Sequence, residues 1–110
     1  MPTALLTRNS RKSVDAVCRK LNLKFDLVFT REDGPHKPDP KPILQIAKAW
    51  KLKRSELLMV GDYKWDIICA KNAGIECALI LDVEELPEWA VGAEYVIRRL
   101  REIIPILEEK

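Results

Sequence analysis

Two hydrophobic periods take turns along this chain, short unbroken apolar runs and sets spaced for one face of a helix. Ala4-Leu5-Leu6 is a run that stops at Thr7. Behind it, Thr7-Arg8-Asn9-Ser10 offers N-cap side chains, and Val14, Val17, Cys18 and Leu21 recur at i, i+3, i+4 and i+7, which predicts a helix from about Ser10 to Leu21. Phe25 to Phe29 predicts a second strand. A loop with Gly34, Pro35, Pro38 and Pro40 follows, and Asp39 as N-cap with Pro40 at the first helical position predicts a helix carrying Ile43, Leu44, Ala47 and Trp50 on one face and ending before Lys53. Leu57-Leu58-Met59-Val60 has no polar position, as expected of a parallel strand covered on both faces, and it breaks off at Gly61-Asp62. Ile67, Ile68 and Ala70 to Ala73 predict the next helix, closed at Asn72-Ala73-Gly74. Ala78 to Leu81 and Tyr95-Val96-Ile97 predict two more strands. Leu100, Ile103, Ile104 and Leu107 predict a last helix, which Pro105 permits only if it starts late. The order βαβαβαββα is that of a parallel α/β sheet with flanking helices.

Composition narrows the class. At 110 residues the chain holds one small domain or part of a larger one, and 47% hydrophobic with 33% charged residues marks it as globular. A formal charge of +2 is too balanced to suggest a polyanion partner such as nucleic acid. The longest apolar runs fall far short of the ~20 residues a membrane span needs, and no basic leader precedes a long apolar stretch, so neither a membrane segment nor a secretory signal is expected. Cys18, Cys69 and Cys77 are odd in number and form no Cys-x-x-Cys, which fits reduced thiols in the cytoplasm better than a disulfide framework or a zinc site.

In open α/β sheets ligands gather outside the carboxyl ends of strands, here at Thr7, Thr30, Asp62 and Asp82. Gly61-Asp62-Tyr63-Lys64-Trp65-Asp66 sets one carboxylate at a strand end and another four residues on, near a helix start. Two such carboxylates suit a hard cation like Mg²⁺, and they equally suit capping of the helix. His36-Lys37-Pro38-Asp39-Pro40 holds a lysine in a proline-stiffened stretch before a helix N-terminus, where an anion is the natural guest, although solvated loops also have this composition. Thr7, Arg8 and Asn9 suit a phosphate cradle or a simple N-cap turn. Trp50, Trp65 and Trp89 read as packing residues.

The order of these features resembles the haloacid dehalogenase-like (HAD) hydrolase superfamily. A strand ends in Thr7, Lys37-Pro38-Asp39-Pro40 opens a helix, and an apolar strand runs into Gly61-Asp62 with Asp66 beyond. The stretch from Leu57 to Gly74 looks like the fourth motif of phosphoglycolate-phosphatase-like members. The resemblance implies a Rossmann-like core in which Thr7 binds the transferring phosphoryl group, with Arg8 and Asn9 beside it, Lys37 neutralises its charge, and Asp62 and Asp66 hold Mg²⁺. Thr7, Lys37 and Asp62 are then the catalytic candidates. The implied activity is Mg²⁺-dependent hydrolysis of a small phosphorylated metabolite, with no nucleic-acid or membrane partner.

The same resemblance exposes a gap. Family members begin with an apolar strand ending in Asp-x-Asp, which supplies the nucleophile and the general acid, and no Asp-x-Asp occurs here; Asp82-Val83-Glu84 is the nearest decoy. That strand lies centrally, between those ending at Thr7 and Asp62. A fragment of a longer enzyme is expected first, a sheet completed by a partner segment or self-association second, and a noncatalytic binding or regulatory module third. The interval from Thr7 to Lys37 is filled by one helix and one strand, so residues 1–110 are expected to be a single core domain without a cap.

Overall fold

A computed structural model describes residues 2–7, 9–34 and 37–108. Ala4–Leu6 forms β1, and Ser10 opens α1 (Arg11–Leu21) as expected, its hydroxyl accepting the Ser13 N–H at 3.2 Å. Arg19 and Lys20 lie in the last turn, where the helix dipole favours cations, and Asn22 closes the helix in the left-handed region at φ 54°. Only part of the predicted apolar stripe is covered: Val14 is buried, whereas Val17 and Leu21 remain more than half exposed. Leu27–Phe29 forms β2, shorter than predicted. Then α2 spans Lys41–Trp50, one residue later than predicted, with Asp39 accepting the Lys41 N–H at 2.8 Å. Its inward face is Ile43, Ile46, Ala47 and Trp50, a strict i, i+3, i+4, i+7 set, and Leu44 turns outward instead.

Leu58–Gly61 forms β3, Lys64–Ala73 forms α3, and Gly74 ends that helix at φ 74°, where a side chain would be strained. Glu76–Ile80 forms β4, two residues earlier than predicted, and Tyr95–Ile97 forms β5. Leu100–Glu102 is a 3-10 turn, so α4 (Ile103–Glu108) does start late. Pro105 then falls in its first turn, where a missing N–H costs no helical bond. No helix among the described residues is long and apolar enough to cross a membrane.

Pairing is parallel throughout, but the sheet is divided. β1 pairs with β2, and β3, β4 and β5 form a separate sheet in that order. Between the β1 and β3 edges lies an apolar slot of about 520 Å³. The core sits to one side of it, where α3 packs on β3 and β4 around Leu79, Cys69, Ala70 and Cys77.

Burial also sets the chemistry of the thiols. It pushes Cys69 up to about 11 and Cys77 to about 12, because a thiolate there would lose its hydration, and the Lys37 ammonium offsets this only partly at Cys69. At pH 8 each is thus deprotonated in roughly one molecule in 1,000 or fewer. We expect a thiol reagent such as DTNB to label half-buried Cys18 first in the folded chain, and all three after denaturation. Rapid labelling of three thiols in the native state would show that this core opens readily.

Candidate active site

Each strand end was a candidate position, and the structure gives them different work. At the end of β2, Thr30 is buried, its N–H donates to Asp33 at 2.7 Å, and its hydroxyl lies 2.8 Å from Glu32 and 2.9 Å from Asp33. Arg11 crosses from α1 to pair with Asp33 at 2.9 Å and donates to the Val28 carbonyl. Hydrogen bonds from Thr30 hold both carboxyls below their usual range, Glu32 chiefly through the Thr30 hydroxyl and Asp33 chiefly through the Thr30 N–H. This network closes the strand on itself. Asp82, the decoy after β4, is exposed and lies 3.5 Å from Arg98.

Thr7 sits where β1 ends. Its N–H donates to the Phe29 carbonyl at 3.0 Å, and its hydroxyl accepts the Asn9 N–H at 3.1 Å. The turn reading is therefore realised, yet a hydroxyl that accepts one bond still has its own proton to give. Asn9 returns its carbonyl to the Arg31 N–H at 3.2 Å, tying the two turns together. Arg8, the other phosphate candidate on this turn, and His36 lie outside the described residues.

At the end of β3 the polar contacts converge on one buried carboxylate. Asp66, buried in the first turn of α3, receives the Lys37 ammonium on one oxygen at 2.7 Å, while its other oxygen accepts the Asp62 and Tyr63 N–H groups at 3.0 and 3.1 Å. One carboxylate thus fixes the lysine and shapes the loop that bears Asp62. Asp62 itself keeps its side chain exposed at the strand end. The expected pair is brought together, with the second member serving as organiser of the first.

Three residues outside the predicted set maintain this arrangement. Gly61 has no room for a side chain, because an added Cβ would collide with the Asp66 carboxylate. Asn72 donates to the Pro38 carbonyl at 3.2 Å, and the Cys69 thiol donates to the Asp39 carbonyl at 3.4 Å, so α3 grips the loop just beyond Lys37. The sequence signals were slight: a glycine before the aspartate, and an asparagine that reads as a helix stop. Beyond Asp62, Tyr63 meets Trp89 edge-to-face at 5.3 Å and 71°, and the Lys64 ammonium lies 5.7 Å from the Tyr63 ring centroid.

Among the described residues no three His, Cys, Asp or Glu side chains converge into a metal cage. Mg²⁺ does not require one, since it commonly takes one or two carboxylates together with waters and substrate phosphate. The open Asp62 carboxylate, with Asp66 behind it, fits that mode.

Fold and site together define a class: a Rossmann-like α/β domain that gathers a fixed lysine and paired aspartates at the carboxyl ends of its strands. The sequence profile of the haloacid dehalogenase-like hydrolases matches residues 1–80, and the chain belongs to that family. It is 39% identical over 77 residues to a haloacid dehalogenase-like hydrolase domain-containing protein of Arabidopsis thaliana, covering 69% of this chain and 31% of that one. It is 32% identical over 108 residues to the pyrophosphatase PpaX of Bacillus mycoides, covering 94% of this chain and 50% of that one. Among solved structures, a HAD-superfamily hydrolase from Geobacter sulfurreducens superposes with a TM-score of 0.82 at 30% identity, over 97% of this chain and 49% of that one. The chain spans about half the length, or less, of these relatives.

Proposed function

We propose that these residues form the phosphoryl-binding part of a Mg²⁺-dependent HAD-type phosphatase of the phosphoglycolate-phosphatase-like branch, acting in the cytoplasm on a small phosphorylated metabolite. The observation that carries the reading is the Asp66 carboxylate, which holds the Lys37 ammonium and the Asp62 loop in one rigid unit at a strand end. A phosphate dianion needs fixed positive charge and oriented donors, and groups already held in place lose little energy in reorganising as the reaction proceeds. Lys37 neutralises phosphoryl oxygens, and Thr7 donates its hydroxyl proton to another, with Asn9 on the same turn and Arg8 between them in the sequence. Asp62 would hold Mg²⁺, which supplies further charge neutralisation at the phosphate. The attacking carboxylate is not among these residues as an Asp-x-Asp, so the chain's part is to bind and orient the phosphoryl group while polypeptide beyond them provides the nucleophile. The hydrolase and pyrophosphatase names of its relatives support a phosphate ester or anhydride as substrate.

The test is Asp62→Asn in a protein that joins this chain to an Asp-x-Asp strand. Mg²⁺-dependent hydrolysis of p-nitrophenyl phosphate should fall by about 100-fold or more, while the urea midpoint moves little because the side chain is exposed. Unchanged turnover would remove Asp62 from the site. Absence of any turnover in the parent protein would favour the noncatalytic binding module that the missing nucleophile also suggests.

A further inference from the structure

The turn after β2 carries more polar bonding than its own backbone requires. Register between β1 and β2 ends with Leu6 beside Phe29, yet the two segments stay joined for several residues more. The Thr7 N–H reaches the Phe29 carbonyl at 3.0 Å, the Asn9 carbonyl accepts the Arg31 N–H at 3.2 Å, and the Arg11 N–H reaches the Glu32 carboxylate at 3.1 Å. Arg11 adds its guanidinium, 2.9 Å from Asp33. Every second residue from Thr7 to Arg11 is thus held by the segment that follows β2. The Thr7 hydroxyl, which accepts the Asn9 N–H at 3.1 Å, lies inside the held stretch. Asn9 and Arg11 are exposed, so apolar packing does little to fix this turn and the polar bonds must do it.

Asp33 alone satisfies the β2 turn, since it accepts the Thr30 N–H at 2.7 Å. Glu32 is surplus to that task and reaches the start of α1 instead. Both carboxylates crowd one hydroxyl: the Thr30 oxygen lies 2.8 Å from Glu32 and 2.9 Å from Asp33, and its single proton serves one of them at a time. Anions this close repel, so the arrangement stands on the cations around it. Arg11 faces Asp33, and Arg31 lies 3.9 Å from Glu32. Two guanidiniums against two carboxylates leave the cluster neutral. That balance suits a turn meant for a phosphate dianion, which unmatched carboxylates behind Thr7 would repel.

We infer that Glu32 and Asp33 are positioning residues for the Thr7 hydroxyl: through Arg11 and the Asn9 backbone they clamp the turn that presents it to a phosphoryl oxygen. The inference rests on the phosphatase reading for what Thr7 binds, and on geometry alone for the clamp.

In a protein that joins this chain to an Asp-x-Asp strand, Asp33→Ala should lower kcat/KM for p-nitrophenyl phosphate by about tenfold, and Asp33→Asn, which keeps an acceptor for the Thr30 N–H, should restore most of it. The deciding measurement is the cycle with Thr7→Val. Where the hydroxyl is already gone, Asp33→Ala should cost less than about twofold. A full tenfold loss in that background would overturn the inference, because the effect would not pass through Thr7. Amide exchange at Asn9 in the 110-residue chain reads the clamp without turnover, and Asp33→Ala should quicken it by about fivefold or more. An unchanged rate would overturn the inference as well. If Asp33→Ala does not fold, Glu32→Ala, at a side chain 52% exposed, takes its place with the same expectations. A parent protein without turnover would defeat the phosphatase reading, and Asn9 exchange would still decide whether the clamp exists.

Discussion

Replacing Asp66 with alanine should cost this chain about 3–5 kcal/mol of folding stability, the range for removing one partner of a buried ion pair. The Asp66 side chain is 5% exposed and that of Lys37 20%, so solvent screening gives little relief. Three donors lose an Asp66 oxygen together: the Lys37 ammonium and the N–H groups of Asp62 and Tyr63. Each donor left unmatched out of water carries a penalty of about 1–3 kcal/mol, and loop relaxation returns part of the sum. Asparagine retains an acceptor for the amides but not the charge, and should recover about half of the loss. Urea denaturation reads both variants, provided the slope stays constant. Domains are stable by only about 5–15 kcal/mol, so a loss of this size is a large share of the total and should lower the urea midpoint substantially. A loss below about 1 kcal/mol would mean that this pair behaves like an exposed one and that the site is not held as described.

Gly61→Ala should come close to the same result from the other direction. The added Cβ and the Asp66 carboxylate cannot share the same space, and a side chain as short as aspartate has little freedom to withdraw. Moving it breaks the bonds to Lys37 and to the loop amides. We expect a loss of about 3 kcal/mol, at the upper end for an overpacked site. The cycle with Asp66→Ala is the sharper measurement, because the alanine at 66 removes the atoms that the new methyl strikes. The double variant should be only slightly less stable than Asp66→Ala alone, a coupling of about 2 kcal/mol. Simple additivity would place the strain of Gly61→Ala elsewhere in the strand.

These two positions show where pattern reading stops. The spacing of Asp62 and Asp66 is enough to place two carboxylates at one helix start, and cation binding and capping both follow from it. Which carboxylate faces water depends on Lys37 arriving from another loop, a contact made across 29 residues of chain. Leu44 gives a similar lesson: it and Ile46 are both apolar, and only the surfaces that α2 meets in the fold, α3 among them, select Ile43, Ile46, Ala47 and Trp50 as the inward face. Asn72 looks like a helix stop until the Pro38 carbonyl is placed against it.

Local rules acting within a turn or two were sufficient for the order of elements, for Ser10 and Gly74 at the ends of α1 and α3, for the late start of α4 around Pro105, and for Thr7, Lys37 and Asp62 at strand ends or in the loop leading into a helix. Those features depend on backbone sterics, hydrophobic period and capping chemistry, all carried by neighbouring residues. The division of the sheet agrees with the gap that the resemblance implied, whereas the burial of Asp66 and the exposure of Val17 and Leu21 were decided only in the tertiary structure. Strand pairing and burial are set by which distant surfaces meet, and a run such as Leu57 to Val60 has the same hydrophobicity whether its edge is paired or bare.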